Sequence, residues 1–285
     1  MDFRNAKELL KVCQEQSLSI SAVMLQRELT EGEQDLEETD RKMDRVLEIM
    51  KSAASTPIHT PVKSMGGLIG GEAKKISDHK DAGKGLCGDL LERAVIYAMA
   101  TLETNASMGV IVAGSAGIVP GLLLALQETY DLSDEQIKQG LYNASAIGYL
   151  AMRNATVAGA VGGCQAEVGI ASAMAASATV ELMGGSPEQS LAAASTVLMN
   201  MLGLVCDPVG GLVEYPCQNR NAAGVANATI AAEIALSGVR QLIPFDEMLE
   251  AVYTVGKRLP AELRETALGG CATTPSACAA CHMCD

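Results

Sequence analysis

Three cysteines in the apolar body of the chain are of a type and setting that could hold a metal together. Cys164 sits in Val161-Gly-Gly-Cys-Gln-Ala-Glu-Val-Gly169, Cys206 in Leu204-Val-Cys-Asp-Pro-Val-Gly-Gly-Leu-Val213, and Cys217 in Glu214-Tyr-Pro-Cys-Gln-Asn-Arg-Asn221. Each lies at a predicted turn beside Gly or Pro, where backbone N–H groups are free to point at sulfur. Such nests and helix starts stabilise thiolates and anionic clusters. Three thiolates are one fewer than the four that close an electron-transfer cluster, so a 4Fe–4S cluster on three cysteines keeps one iron open as a Lewis acid. Buried cysteine also behaves as a small hydrophobe. Spacing alone leaves these two readings balanced.

Other groups could contribute. The loop Lys63-Ser-Met-Gly-Gly-Leu-Ile-Gly-Gly-Glu-Ala-Lys-Lys75 places Lys63, Ser64, Lys74 and Lys75 around four glycines, and Arg220 and Asn221 closely follow Cys217. A cation with N–H donors beside a cluster suits a carboxylate substrate, and Arg220 is the preferred anchor. Lys63, Ser64, Arg220 and Asn221 are therefore the candidate catalytic residues, with Gly66, Gly67 and Ser115 as candidate substrate-binding positions. His59, just before the loop, is a possible base, while His79 reads as solvated. The tail adds Cys271 and the run Cys278-Ala-Ala-Cys-His-Met-Cys284, whose C-x2-C-x2-C spacing is itself a metal signal.

The elements that must position these groups are helical. Apolar stretches at about 88–104, 117–130, 134–152, 166–183, 187–204 and 222–239 follow helical spacing, and 245–258 is amphipathic. Ser133 with Gln136, and Ser186 before Pro187 and Glu188, are helix starts, and Gly184-Gly185 is a stop. Alternating β-branched runs are scarce. The predicted fold is all-α: a single large helical domain over 61–270, an N-terminal helical arm and connector over 1–60, and a Cys-rich tail over 271–285. The arm holds more than a third of the charged residues. The connector is placed at Ala53–Pro61, where two prolines fall.

Composition narrows the function. Aromatics make up 3% and tryptophan is absent, so Ala, Gly, Leu, Val and Met must form a closely packed interior. A net charge of −13 argues against nucleic acid or an anionic membrane as partner. Met1 to Lys11 is charged and lacks the apolar core of a signal peptide, which predicts a cytoplasmic protein with reduced thiols. The uncharged-looking stretch Thr104–Gln127 has the length of a membrane span but contains Asn105, Pro120 and several glycines, so it is read as buried core.

The cysteine segments resemble those of the iron–sulfur L-serine dehydratase family. The matching stretches are Gly163-Cys-Gln-Ala-Glu-Val-Gly169, Cys206-Asp-Pro-Val-Gly-Gly-Leu-Val213 and Pro216-Cys-Gln-Asn-Arg-Asn-Ala222, with weaker matches at Tyr97–Glu103, Gly117–Gly121 and Glu265–Gly270. The resemblance runs from about residue 60 to 273. It implies a 4Fe–4S cluster on Cys164, Cys206 and Cys217, L-serine as substrate, pyruvate and ammonia as products, and no pyridoxal phosphate. The size resembles the α chain of the two-chain form, which implies a separate β chain. Some members place a C-terminal cysteine on the open iron, a role that falls here to Cys284. Two departures stand out: a segment near Val112–Ala116 is shortened, and Gly66 replaces a common hydroxyl residue. Alternatives are an L-cysteine desulfidase using the same cluster, or a non-catalytic iron–sulfur sensor or scaffold.

Overall fold

A computed structural model describes residues 2–32, 35–108 and 114–281. The described residues form thirteen α-helices and no sheet, so the chain is all-α. In order these are α1 (Ala6–Gln16), α2 (Ile20–Glu31), α3 (Leu36–His59), α4 (Glu72–Asp81), α5 (Asp89–Ser107), α6 (Ile118–Tyr130), α7 (Asp134–Asn154), α8 (Gly159–Gly162), α9 (Cys164–Leu182), α10 (Pro187–Met201), α11 (Cys217–Leu236), α12 (Phe245–Arg258) and α13 (Pro275–Cys281).

Helix α9 is the axis of the fold. A helix apolar all round must be enclosed, and α9 is buried from Cys164 to Val180 on nearly every face. Its Ala, Ser and Gly side chains let α6, α7, α10 and α11 pack directly against it. Two neighbours start on full capping boxes: Ser133 with Gln136 opens α7, and Ser186 with Gln189 opens α10 behind Pro187. Each pair satisfies two N–H groups that the helix itself cannot reach. The start at Ser186 was expected from Glu188, but the reciprocal partner is Gln189.

The expected connector at Ala53–Pro61 is mostly helix, because α3 runs through Pro57 to His59. Proline at position i removes the hydrogen bond to the carbonyl at i−4, here Ala53. Thr104 on α5 repairs the loss by donating its hydroxyl to the Ala53 carbonyl at 2.8 Å. The N-terminal helices also share the main core. Phe3, Leu9, Ile20 and Val23 are fully buried in the same cluster as Leu150, Ile170 and Leu249. The two ends of the stretch Thr104–Gln127 lie in α5 and α6, and no helix of the described residues is long and apolar enough to cross a membrane.

Candidate active site

Each of the three cysteines is delivered by a backbone feature. Cys164 is the first residue of α9, after Gly163 at φ +75°. A side chain at 163 would be both strained and obstructed, since its Cβ would lie 2.6 Å from Leu259 Cδ1 and 2.8 Å from the Leu204 carbonyl. Gln165 locks this start: its side chain accepts from Gly203 N–H at 2.8 Å and donates to the Val252 carbonyl at 2.8 Å. Cys206 lies on extended chain paired with a later segment, donating to the Leu263 carbonyl at 2.9 Å and accepting from Glu265 N–H at 2.7 Å. Cys217 is the first residue of α11.

Two of the thiols form a close group with one carboxylate, and the third lies beside it. The Sγ atoms of Cys164 and Cys206 and a carboxylate oxygen of Glu167 lie within 4.8 Å of one another. Two glycines frame the gathering. A Cβ on Gly159 would lie 2.8 Å from Glu167 Oε2 and 3.0 Å from Cys206 Sγ, and one on Gly114 would lie 3.1 Å from Cys217 Sγ and 3.2 Å from Glu167 Oε1. Cys164, Cys206 and Cys217 are all buried, and Glu167 is half-buried.

Their electrostatics differ. The Cys206 thiol bonded to Cys164 holds the Cys164 thiol below the ordinary range, against its burial and with help from Arg220. Cys206 is correspondingly pushed up by Cys164 and by burial. Cys217 is pushed up to about 12 by burial, with the Cys164 and Glu167 charges adding to it. Burial and the charge of Glu265 raise the Glu167 carboxyl, although Gly114 and Ser115 N–H groups donate to it. Within the site, the Cys206 hydrogen bond and the Arg220 charge favour the thiolate form of Cys164.

The remaining predicted residues fall into distinct places. Arg220, expected as a carboxylate anchor, is committed elsewhere: it pairs with Asp207 Oδ1 at 2.7 Å, donates to the Val205 carbonyl at 3.0 Å and reaches Cys164 Sγ at 3.5 Å. Asn221 is buried and holds the turn before α6, donating to the Gly114 and Cys217 carbonyls and accepting from Gly117 N–H. That turn carries Ser115, buried beside Glu167. Ser64 is buried too, its hydroxyl donating to Glu214 Oε2 at 2.6 Å and accepting from Ile69 N–H at 3.3 Å. Gly66 and Gly67 are exposed on the same loop, and exposed Lys63 folds back over it, with Cε 3.1 Å from where a Gly67 Cβ would stand. Lys74 pairs with Asp78 and Lys75 with Glu72, while His59 and His79 are exposed. Cys278 and Cys281 lie on α13, which packs on the turn at 209–211. Cys271 is anchored through its N–H to Asp207 Oδ2 at 2.6 Å. Cys284, His282 and the first part of the Val112–Ala116 segment fall outside the described residues.

Four acidic residues escaped the sequence reading. Besides Glu167 and Asp207, Glu214 accepts from Ser64, from Gly66 N–H at 2.6 Å and from Leu68 N–H at 2.9 Å, which pins the glycine loop. Fully buried Glu103 accepts from Gly71 and Ala73 N–H groups and from Gln218. Glu167, Asp207 and Glu214 lie in the very segments quoted for the cysteines, and Glu103 closes the weaker Tyr97–Glu103 match, so their signal was adjacency to those matches.

A helical protein whose central helices begin on buried thiols, gathered about one carboxylate, has the donor set of a soft-metal centre. The profile of the family described as serine dehydratase alpha chain matches residues 15–272. The chain is 48% identical to a probable L-serine dehydratase, alpha chain, of Bacillus subtilis over 96% of its length and 92% of the relative's. It is 45% identical to an L-serine dehydratase, alpha chain, of Peptoniphilus asaccharolyticus, covering 94% and 93% of the two chains. With the L-serine dehydratase TdcG of Escherichia coli it shares 34% identity over 95% of its own length and 62% of that longer protein. The chain belongs to the serine dehydratase α chain family and is an enzyme.

Proposed function

We propose that the chain is the catalytic α chain of an L-serine dehydratase, converting L-serine to pyruvate and ammonia together with a separate β chain. The observation that carries this reading is the close group of Cys164, Cys206 and Glu167, with Cys217 across Gly114 from Glu167, in a chain whose relatives bear that name. A 4Fe–4S cluster on Cys164, Cys206 and Cys217 suits the site. The donors are soft, Arg220 lowers the charge burden at Cys164, and Gly159 and Gly114 leave room where a Cβ would obstruct. When bound, such a cluster supplies an iron without a protein ligand, which draws electron density from the substrate hydroxyl and eases its departure.

The chain's own residues do the rest. Loss of the α-proton and the β-hydroxyl yields aminoacrylate, which tautomerises to the imine and hydrolyses to pyruvate and ammonium. Glu167 handles the proton at Oε2, the oxygen facing Cys206; burial raises its carboxyl, which favours a group that takes up and returns a proton. Arg220 stabilises the Cys164 thiolate and does not need to touch substrate. Lys63, exposed and folded over the glycine loop, is the cation proposed to meet the substrate carboxylate. Cys284, which lies outside the described residues, would be the tail residue to compete with serine for a bound cluster.

The test is anaerobic purification with the β chain, iron and sulfide analysis, and pyruvate release from L-serine and L-cysteine. Wild type should carry a cluster and prefer L-serine, and Cys164→Ser should lose both cluster and turnover. Preference for L-cysteine would favour a desulfidase. A loaded cluster without turnover of either would favour a sensor.

A further inference from the structure

Glu265 has no part in the steps above, yet its placement is costly. Its backbone lies at φ +65°, and two residues on Ala267 lies at φ +56°. Non-glycine residues avoid this left-handed region, and when they are held there the strain commonly marks a working site. Cys206 holds Glu265 in place, its carbonyl accepting the Glu265 N–H at 2.7 Å. The carboxylate is thereby delivered to the thiols. Its Oε2 lies 3.4 Å from the position of a Gly159 Cβ, the point that is 3.0 Å from Cys206 Sγ and 2.8 Å from Glu167 Oε2.

The other acidic groups around the thiols are already engaged. Asp207 is paired with Arg220, Glu214 holds the glycine loop, and Glu167 receives two backbone N–H groups. Among the described residues, exposed Glu265 has no hydrogen-bond or ion-pair partner for its side chain. An amino-acid substrate brings a permanent ammonium that needs a counter-charge, because an unbalanced cation entering a partly desolvated site pays its hydration without return. A free carboxylate at the rim, beside Cys206, meets that need.

We propose that Glu265 anchors the α-ammonium of the substrate and so selects amino acids over hydroxy acids. This rests on the serine-lyase reading. The test uses the loaded enzyme with its β chain, as wild type, Glu265→Gln and Glu265→Asp. Three quantities are measured: KM and kcat for L-serine, inhibition by L-glycerate, which carries a hydroxyl in place of the ammonium, and calorimetric binding of glycine, which cannot be dehydrated. Glu265→Gln should raise KM for L-serine and weaken glycine by about tenfold to a hundredfold, the range of a lost charge-assisted hydrogen bond. Iron content and inhibition by L-glycerate should stay within about twofold. Glu265→Asp, which keeps the charge and tolerates the left-handed backbone, should recover part of the loss. Unchanged glycine binding in Glu265→Gln would overturn the proposal, as would equal weakening of glycine and glycerate or a loss of iron. A loaded wild type that binds glycine but releases no pyruvate from L-serine would instead overturn the lyase reading, with the glycine titration still reporting on Glu265.

Discussion

At the scale of single residues, the site is held by charged groups whose partners lie far away in sequence. Arg220 meets Asp207, the Val205 carbonyl and Cys164 at once, a fork that lysine cannot reproduce. Arg220→Ala leaves Asp207 buried and unpaired, and it should destabilise the fold by about 3–5 kcal/mol in urea titrations. Arg220→Lys is the sharper probe. In metal-free protein Cys164 is the thiol held low, so alkylation should begin at a lower pH in wild type than in Arg220→Lys. Coincident profiles would remove Arg220 from that role. Glu214 makes a second case. Glu214→Ala frees the Ser64 hydroxyl and two N–H groups, which should cost about 1–3 kcal/mol and open residues 63–71 to proteolysis. Proteolysis unchanged from wild type would mean that the loop is held by something else. The cysteines could be found from their own neighbours, because turns and glycines flag them locally. Glu214 could not, because its partners lie about 150 residues away and a lone carboxylate in sequence looks solvated.

At the scale of elements, hydrophobic period and caps located nearly every helix of the body, and they failed where a tertiary contact overrides a local rule. Pro57 reads as a break, but Thr104 satisfies the orphaned carbonyl and α3 continues. Helix α4 shows the same principle. Its N-cap is Gly71, which offers no side chain, so Glu103 on α5 serves from a distance by accepting from Gly71 and Ala73 N–H groups. A carboxylate suits a helix start, yet burial outweighs those bonds and raises the Glu103 carboxyl. The folded state therefore retains this proton to a higher pH than the unfolded chain, whose carboxyl titrates near 4.5. Between those two values the folded state binds more protons, so stability contributed here falls as pH rises through the window. Urea titrations from pH 4 upward should show that decline in wild type and a shallower one in Glu103→Gln. Parallel curves would mean that the carboxyl is not desolvated.

At the scale of the whole molecule, the N-terminal helices decide how the site is held. Their charge density suggests a peripheral arm, because the exposed faces carry the charges while the buried faces are short and easily missed. Phe3, Leu9, Ile20 and Val23 nevertheless enter the core that surrounds α9. Lys138 on α7 fastens the next helix, meeting Asp40 at 2.5 Å, Asp44 at 3.0 Å and Glu135 at 2.9 Å. Since α9 and α11 begin on the cysteines, loosening any wall of that core loosens the site's footing. Leu9 is fully buried on α1 and its side chain is absent from the thiol site, which makes it a clean probe. Leu9→Ala should cost about 2–5 kcal/mol from lost burial and the cavity left behind. If the core is one cooperative unit, helix loss followed by circular dichroism and exposure of the three site thiols to alkylation should move together to lower urea by the same amount. If instead α1 and α2 melt separately, circular dichroism will show an early step at which the thiols remain protected. That biphasic outcome would make the N-terminal helices an independent unit and would remove them from the support of the site.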